Sequence, residues 1–194
     1  MPRFFVQPEG PRPDFRLVIT FLGGDSHNVD TDGNSHNPAS RDWTCLDGAW
    51  ARRPYPGDDF VIPFGTARTL RAGTALTVVS WGAMVERCEQ AVAAAAVDAE
   101  LIDLRTLSPW DREAVLASVR KTRRCLIVHE DNMTAGFGAE IAAVLAKDAF
   151  FDLDAPIERI AMPDVPSPHS PVLLDAVVPS AARLAEAMRA LVAI

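Results

Sequence analysis

LIDLRTLSPWDREAVLASVRKTRRCLIVHED, residues 101 to 131, decides the fold. Leu101, Ile102 and Leu104 make a short apolar run that suits a strand covered on both faces. Ser108-Pro109-Trp110-Asp111 predicts a helix start, with Ser108 as cap, Pro109 at the first helical position and Asp111 completing a capping box. Ala114, Val115, Ala117, Ser118 and Val119 form a small apolar face, and Lys121, Arg123 and Arg124 place positive charge at the carboxyl end. Cys125-Leu126-Ile127-Val128 is a second buried-type strand, and His129-Glu130-Asp131 follows where α/β sheets carry functional loops. Two strands joined by one helix predict a right-handed crossover with parallel strands.

The same alternation continues on both sides. Leu76 to Trp81 predicts a strand, and Gly82 breaks it. Ala83 to Val97 predicts a helix, with Met84, Val85, Cys88, Ala91, Val92, Ala95 and Ala96 on one face and Glu86, Arg87, Glu89 and Gln90 on the other. The next strand is Ala99 to Leu104. Gly136-Phe137-Gly138 opens a helix to about Lys147, Ile157 to Met162 is a further strand, and a proline-rich connector (Pro163, Pro166, Pro168, Pro171) follows. A last helix after Pro179 carries Leu184, Met188, Leu191 and Val192. The expected class is α/β: a three-layer, doubly wound, mostly parallel sheet of about five strands.

Before Tyr55 the pattern is different. Pro2, Pro8, Pro11 and Pro13 interrupt the start, and one strand is expected within Phe15 to Leu22. Between Gly23 and Asp42 the only aliphatic side chain larger than alanine is Val29, so that region cannot offset its own ordering entropy. Residues 1–54 therefore read as a divergent, partly disordered segment or linker, and residues 55–194 as the domain.

Composition narrows the function. The 194 residues are 48% hydrophobic and 23% charged, and 19 basic against 26 acidic residues give a net charge of -7. That balance argues against generic nucleic-acid or anionic-membrane binding. Three cysteines, Cys45, Cys88 and Cys125, have no close spacing and read as reduced thiols. No signal peptide is expected, because Gln7 and Pro8 break Phe4-Phe5-Val6 at once, and the Leu17 to Leu22 run is too short to span a bilayer. A cytoplasmic location follows.

Candidate motifs are incomplete. Asn28, Asp30, Asp32 and Gly33 imitate a calcium loop, but its first position should be Asp and its twelfth is Ala39 rather than Glu. Gly136 and Gly138 could present amides to an anion, yet the turn lacks the dinucleotide fingerprint, and tight strand-to-helix packing is the better reading. His129 and Glu130 could work as an acid/base pair, but adjacent strand residues face opposite ways, so a structural or interface role is expected for both. His27, His36 and His169 show no ligand spacing, and Ser80-Trp81-Gly82 lacks the glycine of a nucleophile elbow. No catalytic, cofactor-binding or metal residue is assigned.

From Tyr55 onward the sequence resembles the C-terminal domain of the transketolase group. More narrowly, it resembles the beta subunit of thiamine-diphosphate-dependent 2-oxoacid dehydrogenases of the pyruvate or branched-chain type. The blocks that carry the resemblance are VIPFGTA (61–67), SWGAMV (80–85), IDLRTLSP (102–109), SVRKT (118–122), VHE (128–130), GFGAEI (136–141) and LDAP (153–156). In that family thiamine diphosphate sits between the alpha subunit and the beta subunit's N-terminal pyrimidine-binding domain, which supplies the activating glutamate. The resemblance thus implies a truncated beta subunit, with thiamine diphosphate and magnesium belonging to the assembled enzyme and none bound by this chain alone. Pro2 to Pro8 is similar to the last strand of the missing domain. Gly10 to Arg53 departs from the pattern, as an insertion, a divergent linker or a mistranslated stretch.

The resemblance also implies partners: the alpha subunit, a second copy in a homodimer, and the subunit-binding domain of the dihydrolipoyl acyltransferase. The last would be engaged by the LDAP aspartate, Asp154, and the terminal carboxylate of Ile194. One alternative is half of a split thiamine-diphosphate enzyme, completed by a separately encoded pyrimidine-binding domain. Another is a stand-alone small-ligand regulatory module using the Gly136 turn.

Overall fold

The apolar runs at 76–80, 99–103 and 125–129 alternate with helical patterns, so each strand must be covered from above and below, and the structure does this with two helical layers. A computed structural model describes residues 62–194, together with two short strands near the N-terminus, β1 (Phe4–Phe5) and β2 (Val18–Ile19). These two pair antiparallel, Phe4 opposite Ile19, and β2 falls inside the strand expected between Phe15 and Leu22. The change of pattern at Tyr55, the calcium-like loop, Cys45, His27 and His36 lie outside the described residues.

The main sheet holds β3 (Arg68–Arg71), β4 (Leu76–Ser80), β5 (Ala99–Asp103), β6 (Cys125–Asn132) and β7 (Glu158–Met162), in the order β3-β5-β4-β6-β7. Strands β4 to β7 are parallel, with Val78 opposite Leu101 and Leu126. The five-stranded, mostly parallel sheet is the expected one.

Period-two alternation splits the core in two. Leu76, Val78, Leu101, Leu126, Val128 and Ile160 pack against α1 (Met84–Ala95) and α5 (Ala181–Val192). Val79, Trp81, Ile102, Cys125 and Ile127 pack against α2 (Arg112–Thr122) and α3 (Phe137–Asp148). Cys88 and Cys125 are free, fully buried thiols, one in each half.

Three local expectations need correction. Helix α2 begins at Arg112, not beside Ser108, and Asp111 is its cap: its Oδ1 accepts from the Ala114 amide at 3.1 Å. The hydroxyl of Thr106 donates to the Pro109 carbonyl at 2.8 Å, which ties that turn back toward β5 before the helix starts. Secondly, β3 is an antiparallel edge strand that the sequence reading passed over, because Arg68-Thr69-Leu70-Arg71 carries one aliphatic residue and only its inner side is paired. Thirdly, the proline-rich connector ends in a further helix, α4 (Pro171–Val177), with proline at its start where a missing N–H costs nothing.

Candidate functional site

The connections from β4 to β5 and from β5 to β6 leave in opposite directions across the sheet. The crevice between β4 and β6 is therefore the switch point at which open α/β sheets usually take ligands. Its walls are Ser80 at the end of β4, Trp81 and Gly82 just after it, and His129 and Glu130 within β6.

Side chains close this crevice. His129 lies on the α2/α3 side, fully buried, with its ring 5.3 Å from the Trp81 ring and 8° from parallel to it. Phe137, at the start of α3, meets Trp81 edge-on at 5.8 Å and Trp110 at 6.3 Å. Neither nitrogen of His129 has a hydrogen-bond partner of good geometry. Burial lowers its pKa; the Asp131 carboxylate opposes that shift and Arg159 adds to it. His129 is thus a neutral ring wedged beneath a helix N-terminus. Glu130, its neighbour in β6, faces the other side and is half-buried. The strand separates the two residues as the alternation predicted.

The Gly136–Gly138 turn is packed tight, whereas the Gly82 turn is exposed. A Cβ on Gly136 would come within 2.2 Å of the Asn132 carbonyl oxygen and 2.7 Å of His129 Cε1. One on Gly138 would come within 2.5 Å of His129 Nε2. These two glycines let α3 sit directly on the histidine. The turn after β4 uses Gly82 at φ 61°, and a Cβ there would lie 3.8 Å from the Glu130 carboxylate. A diphosphate would meet a buried imidazole at one turn and a carboxylate at the other, so these residues do not fit thiamine diphosphate. Among the described residues no group of three or more His, Cys, Asp or Glu side chains could hold a metal ion.

The opposite end of the sheet holds a charged corner. Arg123 ends α2 in the left-handed region at φ 63°, its amide bonded to the Val119 carbonyl. Its guanidinium donates to both oxygens of Asp154, Nε at 2.7 Å and the terminal nitrogen at 2.8 Å, and the Asp154 amide donates back to the Arg123 carbonyl at 2.8 Å. The guanidinium holds the Asp154 carboxyl below its ordinary pKa. The next residue, Arg124, donates from Nε to the Leu191 carbonyl in the last turn of α5 at 3.0 Å. The Arg123-Arg124 pair therefore joins the Asp154 loop to the segment that leads into Ile194, which is exposed. A short 3-10 turn, Phe150–Asp152, precedes Asp154, and it leaves Phe150 and Phe151 exposed. The sequence reading named Asp154 and Ile194 but missed Arg123; a basic residue just past a helix end was read only as favourable to the helix dipole.

Comparison with known proteins agrees with this architecture. The family described as "Transketolase, C-terminal domain" matches residues 65–184. The 2-oxoisovalerate dehydrogenase subunit beta 2, mitochondrial, of Arabidopsis thaliana is 48% identical over 116 residues, covering 58% of this chain and 32% of its own length. The 2-oxoisovalerate dehydrogenase subunit beta of Pseudomonas aeruginosa is 36% identical over 178 residues, covering 85% of this chain and 49% of its own length. This chain thus spans half or less of those relatives. A solved split-gene transketolase, in an inactive beta4 tetramer, superposes with a TM-score of 0.60 at 24% identity, over 71% of this chain and 44% of that one; the likeness is one of fold. Among the described residues no helix is long and apolar enough to cross a membrane. With the ordered blocks, the sheet topology and the matched span in agreement, the chain belongs to the transketolase C-terminal domain family.

Proposed function

We propose that this chain serves as the C-terminal domain of the beta subunit in a thiamine-diphosphate-dependent 2-oxoacid dehydrogenase, and that it contributes association and docking rather than catalysis. The observation that carries this reading is the closed switch-point crevice. The place where such a sheet would take a ligand is filled by His129, Trp81 and Phe137, and the Gly136–Gly138 turn beside it is packed shut against His129. Oxidative decarboxylation then resides elsewhere in the assembly, where thiamine diphosphate and magnesium are held. The alpha subunit and a second copy of this domain are the subunit partners.

Docking to the acyltransferase core is assigned to the corner of Asp154 and Ile194. A carboxylate accepting a two-pronged guanidinium bond is the geometry that recognises an incoming arginine, and Asp154 accepts such a fork from Arg123 within this chain, which supports the reading. The structural alternative is that Asp154 only closes the turn onto α2.

The test combines activity and binding. Purified chain is mixed with the alpha subunit, thiamine diphosphate and magnesium, and dye reduction is followed with 2-oxoisovalerate and with pyruvate. No turnover is expected, and turnover would overturn the reading. Activity restored by a separately produced pyrimidine-binding domain would favour the split-enzyme alternative. Asp154→Asn and a short extension after Ile194 are each expected to weaken binding to the acyltransferase's subunit-binding domain; unchanged affinity in both would remove the docking role.

A further inference from the structure

We propose that Arg123 is a built-in competitor at the docking corner, occupying Asp154 as a partner's arginine would, so that docking exchanges one guanidinium for another. The inference rests on the docking reading above and adds a residue that sets its affinity and salt dependence.

The geometry of the corner supports an exchange. An ionised carboxylate offers about four lone-pair sites, and Arg123 takes one on each oxygen of Asp154 in the parallel two-bond arrangement. A second arginine cannot form the same fork while the first is in place. Both side chains are close to half exposed, 46% for Arg123 and 42% for Asp154, so water can replace the pair at little cost. The backbone of Arg123 stays fixed during the exchange, because its amide bonds to Val119 and its carbonyl to the Asp154 amide. Only the side chain has to move. Half-exposed and at the end of its helix, that side chain can turn out into water.

Two consequences separate this arrangement from a merely structural ion pair. Exchange of one pair for another leaves the number of pairs unchanged, so this contact adds little to the salt dependence of docking in the wild type. When Arg123 is removed, docking creates a pair that was absent before, and both affinity and salt sensitivity rise. Glycine is the natural replacement, because φ 63° at the helix stop suits it better than arginine, and Arg123→Gly should therefore fold.

The experiment measures binding of the full chain to the purified subunit-binding domain of a dihydrolipoyl acyltransferase by calorimetry, at low and at raised salt. The proteins are wild type, Arg123→Gly, Arg123→Gln, Asp154→Asn and the Arg123→Gln/Asp154→Asn double variant. Both Arg123 variants are expected to bind about two- to fivefold more tightly at low salt, the range that one surface ion pair spans, with a steeper loss on adding salt. Asp154→Asn should weaken binding, and in that background Arg123→Gln should have no further effect. If Asp154→Asn weakens binding while the Arg123 variants bind equally or less tightly, the competitor is overturned and the docking reading stands. If Asp154→Asn leaves affinity unchanged, or if no protein binds, the docking reading fails and takes this inference with it.

Discussion

His129 lies flat against Trp81, ring centroids 5.3 Å apart, in the crevice where β4 and β6 diverge. A titratable ring with both nitrogens lacking well-formed hydrogen bonds is an unusual filler for a core. It is tolerable there because the neutral imidazole stacks on an indole, and because two glycines let α3 descend onto it.

This arrangement makes stability depend on pH. Burial holds the His129 pKa below that of the unfolded chain, so the unfolded state binds the proton first as pH falls. The contribution is complete above the ordinary histidine range, near 6.5, and is lost progressively as pH drops from there toward the lowered folded value. Urea unfolding at pH 7.5 and 5.5 should show wild type losing stability, by at most about 1.4 kcal/mol per pH unit from this one group. In His129→Phe that part of the slope should vanish. A slope unchanged by the substitution would show that the ring is not held neutral.

Gly138→Ala should be destabilising although alanine favours helices. The new methyl would lie 2.5 Å from His129 Nε2 and 3.2 Å from Ile127 Cγ2, and neither neighbour is free to swing away. Overpacking of this kind costs about 1–3 kcal/mol against a propensity gain of about 1 kcal/mol at most. Introducing Gly138→Ala into His129→Ala should cost less than in wild type, and a double-mutant cycle by denaturant unfolding measures the coupling.

Asp111 links two parts of the domain. One oxygen caps α2 at the Ala114 amide, and the other accepts from the Ala67 amide at 2.9 Å, just before β3. Asp111→Ala should lower stability by about 1–2 kcal/mol, the usual range for a lost cap. Hydrogen exchange should then speed up both at the start of α2 and at Ala67. Faster exchange at the helix alone would argue that the second bond has little weight.

The hydroxyl of Thr77 is the hub of a buried triad, 2.6 Å from both Ser118 and Thr122. Thr77→Val keeps the shape but takes one partner each from Ser118 and Thr122, the latter keeping its bond to the Arg124 carbonyl, and it should cost about 0.5–1.5 kcal/mol. Combining it with Ser118→Ala should recover part of the loss, as measured by urea midpoints.

Cys88 and Cys125 should resist thiol reagents in the folded protein. Burial pushes each thiol's pKa up to about 12, so almost no thiolate forms at neutral pH. With Cys45→Ser removing the third thiol, a disulfide reagent should register reaction only after denaturant is added. Rapid labelling under native conditions would contradict the packing described for both halves of the core.

The parallel sheet was legible because buried strands such as Leu126-Ile127-Val128 leave continuous apolar runs, and α1 separates its apolar and charged faces cleanly. Edge strand β3 was not legible, since a strand paired on one side needs few apolar residues and Arg68 and Arg71 hide the pattern. The start of α2 was misplaced because Ser108-Pro109 and Asp111 both satisfy a capping signature, and only the long-range bond from Asp111 to Ala67 decides between them. At the crevice, the alternation of His129 and Glu130 foretold their separation, but the Trp81 stack joins residues almost fifty positions apart, and no local spacing reports that. The Arg123–Asp154 pair was hidden for the same reason. Each residue has an ordinary local explanation, one beyond a helix end and the other before a proline.

The placement of β3 sets the traffic of the molecule. Arg68 pairs with Asp103, so the chain enters the sheet at the carboxyl end of the parallel strands and on one outer edge. Arg123 and Arg124 stand at the amino end of β6, beside the opposite edge strand β7. Entry and the Arg123–Asp154 corner are thus diagonal across the sheet, separated laterally by three strand spacings, about 14 Å. A partner at Asp154, as proposed, would therefore stand away from the edge at which Arg68 enters the sheet, and the two ends of the sheet stay separately accessible.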